Sequence, residues 1–166
     1  MAKKENQKRK QELAERKAVE SLVFQVHYGL KMLGVKDNDL SHKLADAEIG
    51  VISQLGLTQD ILNLKNLIDG VKRDLFFEPM PESGDLCTSV SAIALGIARI
   101  QSLEQMNVPV SWELLINQKI LNIYYAENIR NQVVEWAKSN GFTTSTYLGN
   151  PIVKFNKIHI ILRRQQ

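Results

Sequence analysis

Between Val19 and Leu75 apolar residues recur at helical spacing in three successive stripes, and this periodicity constrains the chain more than any motif in it. The first stripe is Val19, Leu22, Val23, Val26, Leu30 and Leu33; the second is Leu40, Leu44, Ala47, Val51 and Leu55; the third is Ile61, Leu64, Ile68, Val71 and Leu75. Each predicts one helix with an apolar side turned to a shared core. Gly34 and Gly56 stand where the first two stripes stop. Asp37 or Asp39 can accept the free N–H groups that open the second helix, and Thr58 those of the third.

FFEPMPESGD, residues 76–85, interrupts the pattern with two prolines, a glycine and acids. The following DLCTSVSAIALGIARIQSL is apolar on nearly every side and rich in small residues, which predicts a central buried helix. After a second break at NVPVS, with Ser111 as a cap, Ile129, Val133, Trp136 and Ala137 predict a helix that stops at Gly141. Residues 118–126, around KILNIYY, suit helix or strand. From Thr143 the period changes: TTSTYL, IVKF and IHIILRR read as two or three strands, with turns at GNP and Asn156–Lys157. The expected fold is α+β, a bundle of five or six helices with a small C-terminal antiparallel element. Its divisions are a basic arm over residues 1–17, a helical subdomain over 18–78, and a unit over 86–166 able to join 18–78 in one compact domain.

With 166 residues and 44% hydrophobic content, such a chain buries a core without covalent staples. The single cysteine, Cys87, excludes an intramolecular disulfide and a multi-cysteine zinc site, and fits a reducing compartment. No apolar run serves as a signal-peptide core, and SVSAIALGIA falls short of the roughly 20 residues that span a bilayer. A soluble intracellular protein, in cytoplasm, nucleoid or nucleus and away from membranes, is expected.

The net charge of +3 conceals a segregation. Residues 1–17 carry seven Lys/Arg and three Glu, residues 154–166 four Lys/Arg and no acid, and the body between them is acidic. Basic ends suit a phosphate backbone or an acidic protein surface; solubilising termini account for the same pattern. The polyanion reading assigns contacts to Lys3, Lys4, Lys8, Arg9 and Lys10 of the arm, and to Arg130, Lys138, Lys154, Lys157, Arg163 and Arg164 toward the C-terminus. A helix followed by a basic hairpin has the layout of a winged helix, with Asn128, Arg130, Asn131 and Lys138 presented to a groove. A helix-turn-helix outline at Leu55–Gly56–Leu57 fits less well, because bulky Ile52 occupies a close-packing position.

Two other function classes compete. One is a structural or adaptor subunit of a larger assembly, viral assemblies included, binding protein through the long first helix or the region of Trp112; among the aromatics, Trp136 suits a core better than Trp112 does. The other is an enzyme. Cys87 at the start of an apolar helix, where the helix dipole favours the thiolate, and His159 on a later strand resemble the papain-like arrangement. That resemblance implies Cys87 as nucleophile and His159 as base. A packed core thiol explains the same cysteine.

No cofactor or metal is expected. Asp37, Asp39, Ser41 and Glu48 match positions of a calcium loop, but His42 stands where its turn needs glycine. His27, His42 and His159 are far apart and form no i, i+4 pair. Phosphate-loop, dinucleotide-fold, nucleophile-elbow and zincin motifs are absent.

Overall fold

A computed structural model describes residues 1–99 and 110–165. The chain opens with three helices, α1 (Ala2–Met32), α2 (Leu40–Gln54) and α3 (Thr58–Leu75). The expected stripes of α1 and α3 are buried at Leu22, Val26 and Leu30, and at Ile61, Leu64, Ile68 and Val71. Helix α2 is turned from the expected stripe: it buries Ala45, Ile49 and Ile52 and exposes Leu40, Ala47 and Val51. Glu48 sets that rotation. It lies on the same face as Ala45 and Ile52, and its carboxylate accepts hydrogen bonds from Ser89 Oγ (2.6 Å), Ser91 N (2.9 Å) and Trp112 Nε1 (3.3 Å). A half-buried carboxylate with three donors holds a helix orientation that apolar periodicity leaves open.

The central buried helix expected over DLCTSVSAIALGIARIQSL is a five-residue helix, α4 (Val90–Ala94). Ser89 caps it by accepting the Ala92 N–H at 3.1 Å, and Gly96, at φ +78°, ends it. Part of the expected helix, from residue 100, lies outside the described residues. The described part of this segment is apolar because residues 89–98 are mostly buried, inside the short helix and beyond it. Gly29 permits one of those contacts, since a Cβ there would collide with the Ala94 carbonyl.

The second half is α5 (Trp112–Gln118), β1 (Ile120–Ala126), α6 (Arg130–Ser139), β2 (Thr144–Tyr147), β3 (Asn150–Lys154) and β4 (His159–Gln165). The architecture is α+β, six helices with a four-stranded sheet of order β1-β4-β3-β2 among the described residues. β2, β3 and β4 pair antiparallel as expected. The ambiguous 118–126 segment supplies a fourth strand, β1, which runs parallel to β4, so the sheet is mixed. Parallel pairing needs a long connection, and α6, β2 and β3 provide it. One face of β1 and β4 buries Leu121, Ile123, Tyr125, Ile160 and Leu162 in a core cluster continuous with that of the helices. Among the described residues no helix is long and apolar enough to cross a membrane.

The β2–β3 connection is a two-residue turn at Leu148 (φ +48°) and Gly149 (φ +80°), rather than at GNP. Left-handed conformation at both positions is a type I′ turn, which asparagine adopts at lower cost than leucine. Leu148 is 84% exposed, so its side chain contributes little packing. Leu148→Asn is expected to stabilise the protein by about 0.5–1 kcal/mol in urea unfolding. A lower midpoint would contradict this account of the turn.

The two tryptophans exchange their expected roles. Trp112 is 5% exposed, with its indole N–H satisfied by Glu48, whereas Trp136 is half-buried, lies on Gly70 and donates to Asp74 Oδ2 at 2.8 Å. Trp112 is therefore not a surface anchor. Hydrogen bonds from Arg73 first, then from Trp136, hold the Asp74 carboxyl below its ordinary value. A depressed folded-state value contributes stability above the unfolded value and loses it as pH falls through the folded one. Trp136 emission should therefore change below about pH 4, and Asp74→Asn should abolish that acid transition.

Candidate nucleic-acid interface

Residues 2–14 of α1 are all exposed, so the helix projects beyond the domain by about 20 Å at 1.5 Å per residue. Lys3, Lys4, Lys8, Arg9 and Lys10 lie on this projection. At 100° per residue they point to all sides of the helix, making a cationic rod and not a stripe. Its root is fixed at Glu15, whose Oε1 accepts from Thr58 Oγ1 at 2.9 Å and Ser53 Oγ at 3.4 Å. Thr58, expected as a cap of α3, is its first residue and instead holds the arm.

Two residues on, Asp60 anchors the other basic end. It is 1% exposed and accepts three backbone N–H groups of the β3–β4 turn: Asn156 at 3.0 Å, Lys157 at 2.8 Å and Ile158 at 3.2 Å. Lys157 Nζ crosses Gly56 to donate to Leu55 O at 3.1 Å. The N-terminus of α3, which a helix-turn-helix would present to bases, is covered by this turn. Lys154 is exposed at the end of β3, and Lys119, a cation not singled out in the sequence, is exposed where His159 N bonds its carbonyl at 2.9 Å. The arm root, Lys119, Lys154 and Lys157 thus lie at one end of the domain.

Arg163 and Arg164 lie at the opposite end of β4, about 20 Å away at 3.3 Å per residue. Arg163 Nε donates to Asn122 Oδ1 at 2.8 Å, and Arg164 is exposed. Arg130 departs from the groove-facing role expected of it. It is 6% exposed, folded under α6 against the sheet, with weak 3.5 Å contacts to Leu162 O and Asn131 Oδ1. Burial, and then the Arg164 charge, push its guanidinium below the ordinary value. Lys138 is exposed and pairs with Glu135 at 3.4 Å.

The sheet face away from the main core carries Tyr124, Lys154, His159 and Arg163, in register across β1, β3 and β4. His159 is half-buried there, and its Nδ1 has no partner among the described residues. Cys87 does not open a helix. It sits two residues before the cap of α4, in a turn where its N–H reaches Gly84 O at 3.4 Å, so the expected helix dipole is not aimed at it. Among the described residues no hydrogen bond joins Cys87 and His159.

His27 and His42, distant in sequence, lie nearly parallel with ring centroids 5.0 Å apart. Their Nδ1 atoms are 2.7 Å apart, and His27 Nε2 lies 2.6 Å from Asp46 Oδ1. With both rings neutral, His42 Nδ1–H donates to His27, whose Nε2–H donates to Asp46. This chain ties α1 to α2. Glu48, the last position of the calcium pattern, is spent on Ser89, Ser91 and Trp112. Among the described residues no three His, Cys, Asp or Glu side chains are grouped to hold a metal ion. The chain matches no protein-family model and no curated protein sequence.

Proposed function

We propose that the protein is a non-enzymatic binder of nucleic acid, gripping the phosphate backbone with its N-terminal helical arm and the basic turn beside the arm's root. The observation that carries this reading is the tethering of both basic segments to one turn of α3: Glu15 to Thr58, and residues 156–158 to Asp60. Two like-charged segments drawn to one end raise the local positive potential, and a phosphate chain is the ligand that relieves it. Contacts spread around a helix suit backbone recognition, which needs charge but no single reading face. The supporting experiment is oligonucleotide binding across a salt series; binding that is absent, or flat in salt, removes the reading.

A second reading, an adaptor for a protein partner, is favoured by a different surface. Phe24, Tyr28 and Met32 recur every four residues on the outer side of α1, with Phe24 70% exposed, beside a pocket of about 520 Å³ against α4. A Phe24→Lys variant that loses a protein partner and keeps oligonucleotide binding would assign that surface to the partner.

A further inference from the structure

At the C-terminal edge of the sheet the parallel strands β1 and β4 end side by side, and the chain turns directly from β1 into α6. That is the place where strand–helix units hold anions, because the first-turn amides of the helix point at the crevice beyond the strand ends. In α6 those amides are free. Its N-cap is Ile129, which offers no side-chain acceptor, and the first turn has no acid. The Val133 N–H reaches Ile129 O, whereas those of Arg130, Asn131 and Gln132 have no acceptor among the described residues.

A second feature points to the same place. Arg130, the first residue of α6, is more than nine-tenths buried with Nε unpartnered, and its NH groups reach neutral oxygens at 3.5 Å only. None of the salt bridges among the described residues includes Arg130 or Arg164. The charge beside Arg130 is another cation, Arg164, on the same face of β4 as Leu162. The acid closest in sequence, Glu127, is exposed in the turn. A buried cation is costly unless an anion accompanies it, and these two adjacent guanidinium groups at an uncapped helix start have no paired anion among the described residues.

We infer that Arg130, Arg164 and the free amides of Arg130–Gln132 form a seat for one tetrahedral oxyanion, a phosphate group. The seat deepens the nucleic-acid reading by giving one backbone phosphate a fixed position about 20 Å, one strand length, from the arm root. It also fits a free phosphate or a small phosphorylated ligand, which presents the same oxygens.

The test is titration of the full chain with inorganic phosphate against chloride at constant ionic strength, read by amide chemical shifts and by thermal unfolding. The seat predicts a saturable shift centred on residues 130–132 and a rise in Tm with phosphate. Arg164→Gln, at an exposed position, should weaken phosphate binding about tenfold, the worth of one charge-assisted hydrogen bond. Arg130→Met should abolish it while leaving the phosphate-free protein at least as stable, because an apolar group replaces an unpaired buried charge. Non-saturating shifts, or a response unchanged by Arg164→Gln, would overturn the seat even if Arg130→Met fails to fold. A short oligonucleotide then identifies the source. If it displaces phosphate, the seat holds a backbone phosphate; if it binds nowhere while phosphate still saturates, the nucleic-acid reading falls and the seat stands for a free phosphate.

Discussion

Replacing Asp60 by alanine is expected to destabilise the protein by about 3–5 kcal/mol, a large part of the 5–15 kcal/mol available to a domain. The carboxylate accepts three backbone N–H groups from a turn nearly a hundred residues away, at a site 1% exposed. Charge-assisted hydrogen bonds are each worth about 1.5–3 kcal/mol, and the alanine leaves donors buried and unpaired. Asp60→Asn is a close isostere and should also be destabilising, because its NH2 group faces N–H donors where the carboxylate accepted. Equilibrium unfolding in urea reads both. A loss below about 1 kcal/mol for both, the level of a lone exposed contact, would mean that the β3–β4 turn is held by its own strands and not by α3. The same variant bears on function: with the turn released, Lys157 is no longer kept beside the arm root.

The largest functional effect is expected from the arm. Changing Lys3, Lys4, Lys8, Arg9 and Lys10 to glutamine should lower oligonucleotide affinity by at least about a hundredfold at physiological salt. The fold should be unaffected, since every one of these side chains is exposed and forms no salt bridge among the described residues. Glutamine keeps helix propensity near that of lysine, so the arm remains a helix and only its charge is removed. Changing Lys154 and Lys157 should cost less, because there are two of them and Lys157 already gives its ammonium to Leu55 O. If the arm variant bound as tightly as the parent, the arm would be a solubilising extension, and the adaptor surface along Phe24, Tyr28 and Met32 would become the better account.

Local chemistry carries the parts of this fold that the sequence makes legible. The stripes of α1 and α3 are read directly from spacing, because each faces one core; α4 is not, since apolarity on every side reads as one long helix where Ser89 and Gly96 bound five residues. Periodicity fails at α2, where two apolar sets recur at helical spacing and Glu48 selects between them through partners at Ser89, Ser91 and Trp112. The exchange of Trp112 and Trp136 also turns on remote partners: both indole N–H groups find distant carboxylates, that of Trp112 on half-buried Glu48 between helices and that of Trp136 on exposed Asp74, and neither is marked locally. Pairing of β1 with β4 spans some forty residues and leaves no local mark, since alternate burial would look alike beside any neighbour. In the site, the charged ends are legible as composition. Their division between two ends of β4 is not, because it depends on Asp60 and Glu15 being engaged by chain segments distant in sequence. Arg130 shows the limit most sharply, for nothing in AENIRNQ tells a buried arginine from a displayed one.

In the proposed function the arm and the β3–β4 turn act together as one phosphate-binding surface. The most direct test is the slope of log K against log salt for a duplex oligonucleotide, measured for the parent chain and for the variant lacking the five arm cations. With the five arm cations and Lys154 and Lys157 each neutralising one phosphate, the parent slope should be about −6, at roughly 0.9 per contact, and the variant slope should be shallower by about 4.5. Equal slopes in the two proteins, or binding that does not weaken as salt rises, would contradict the claim.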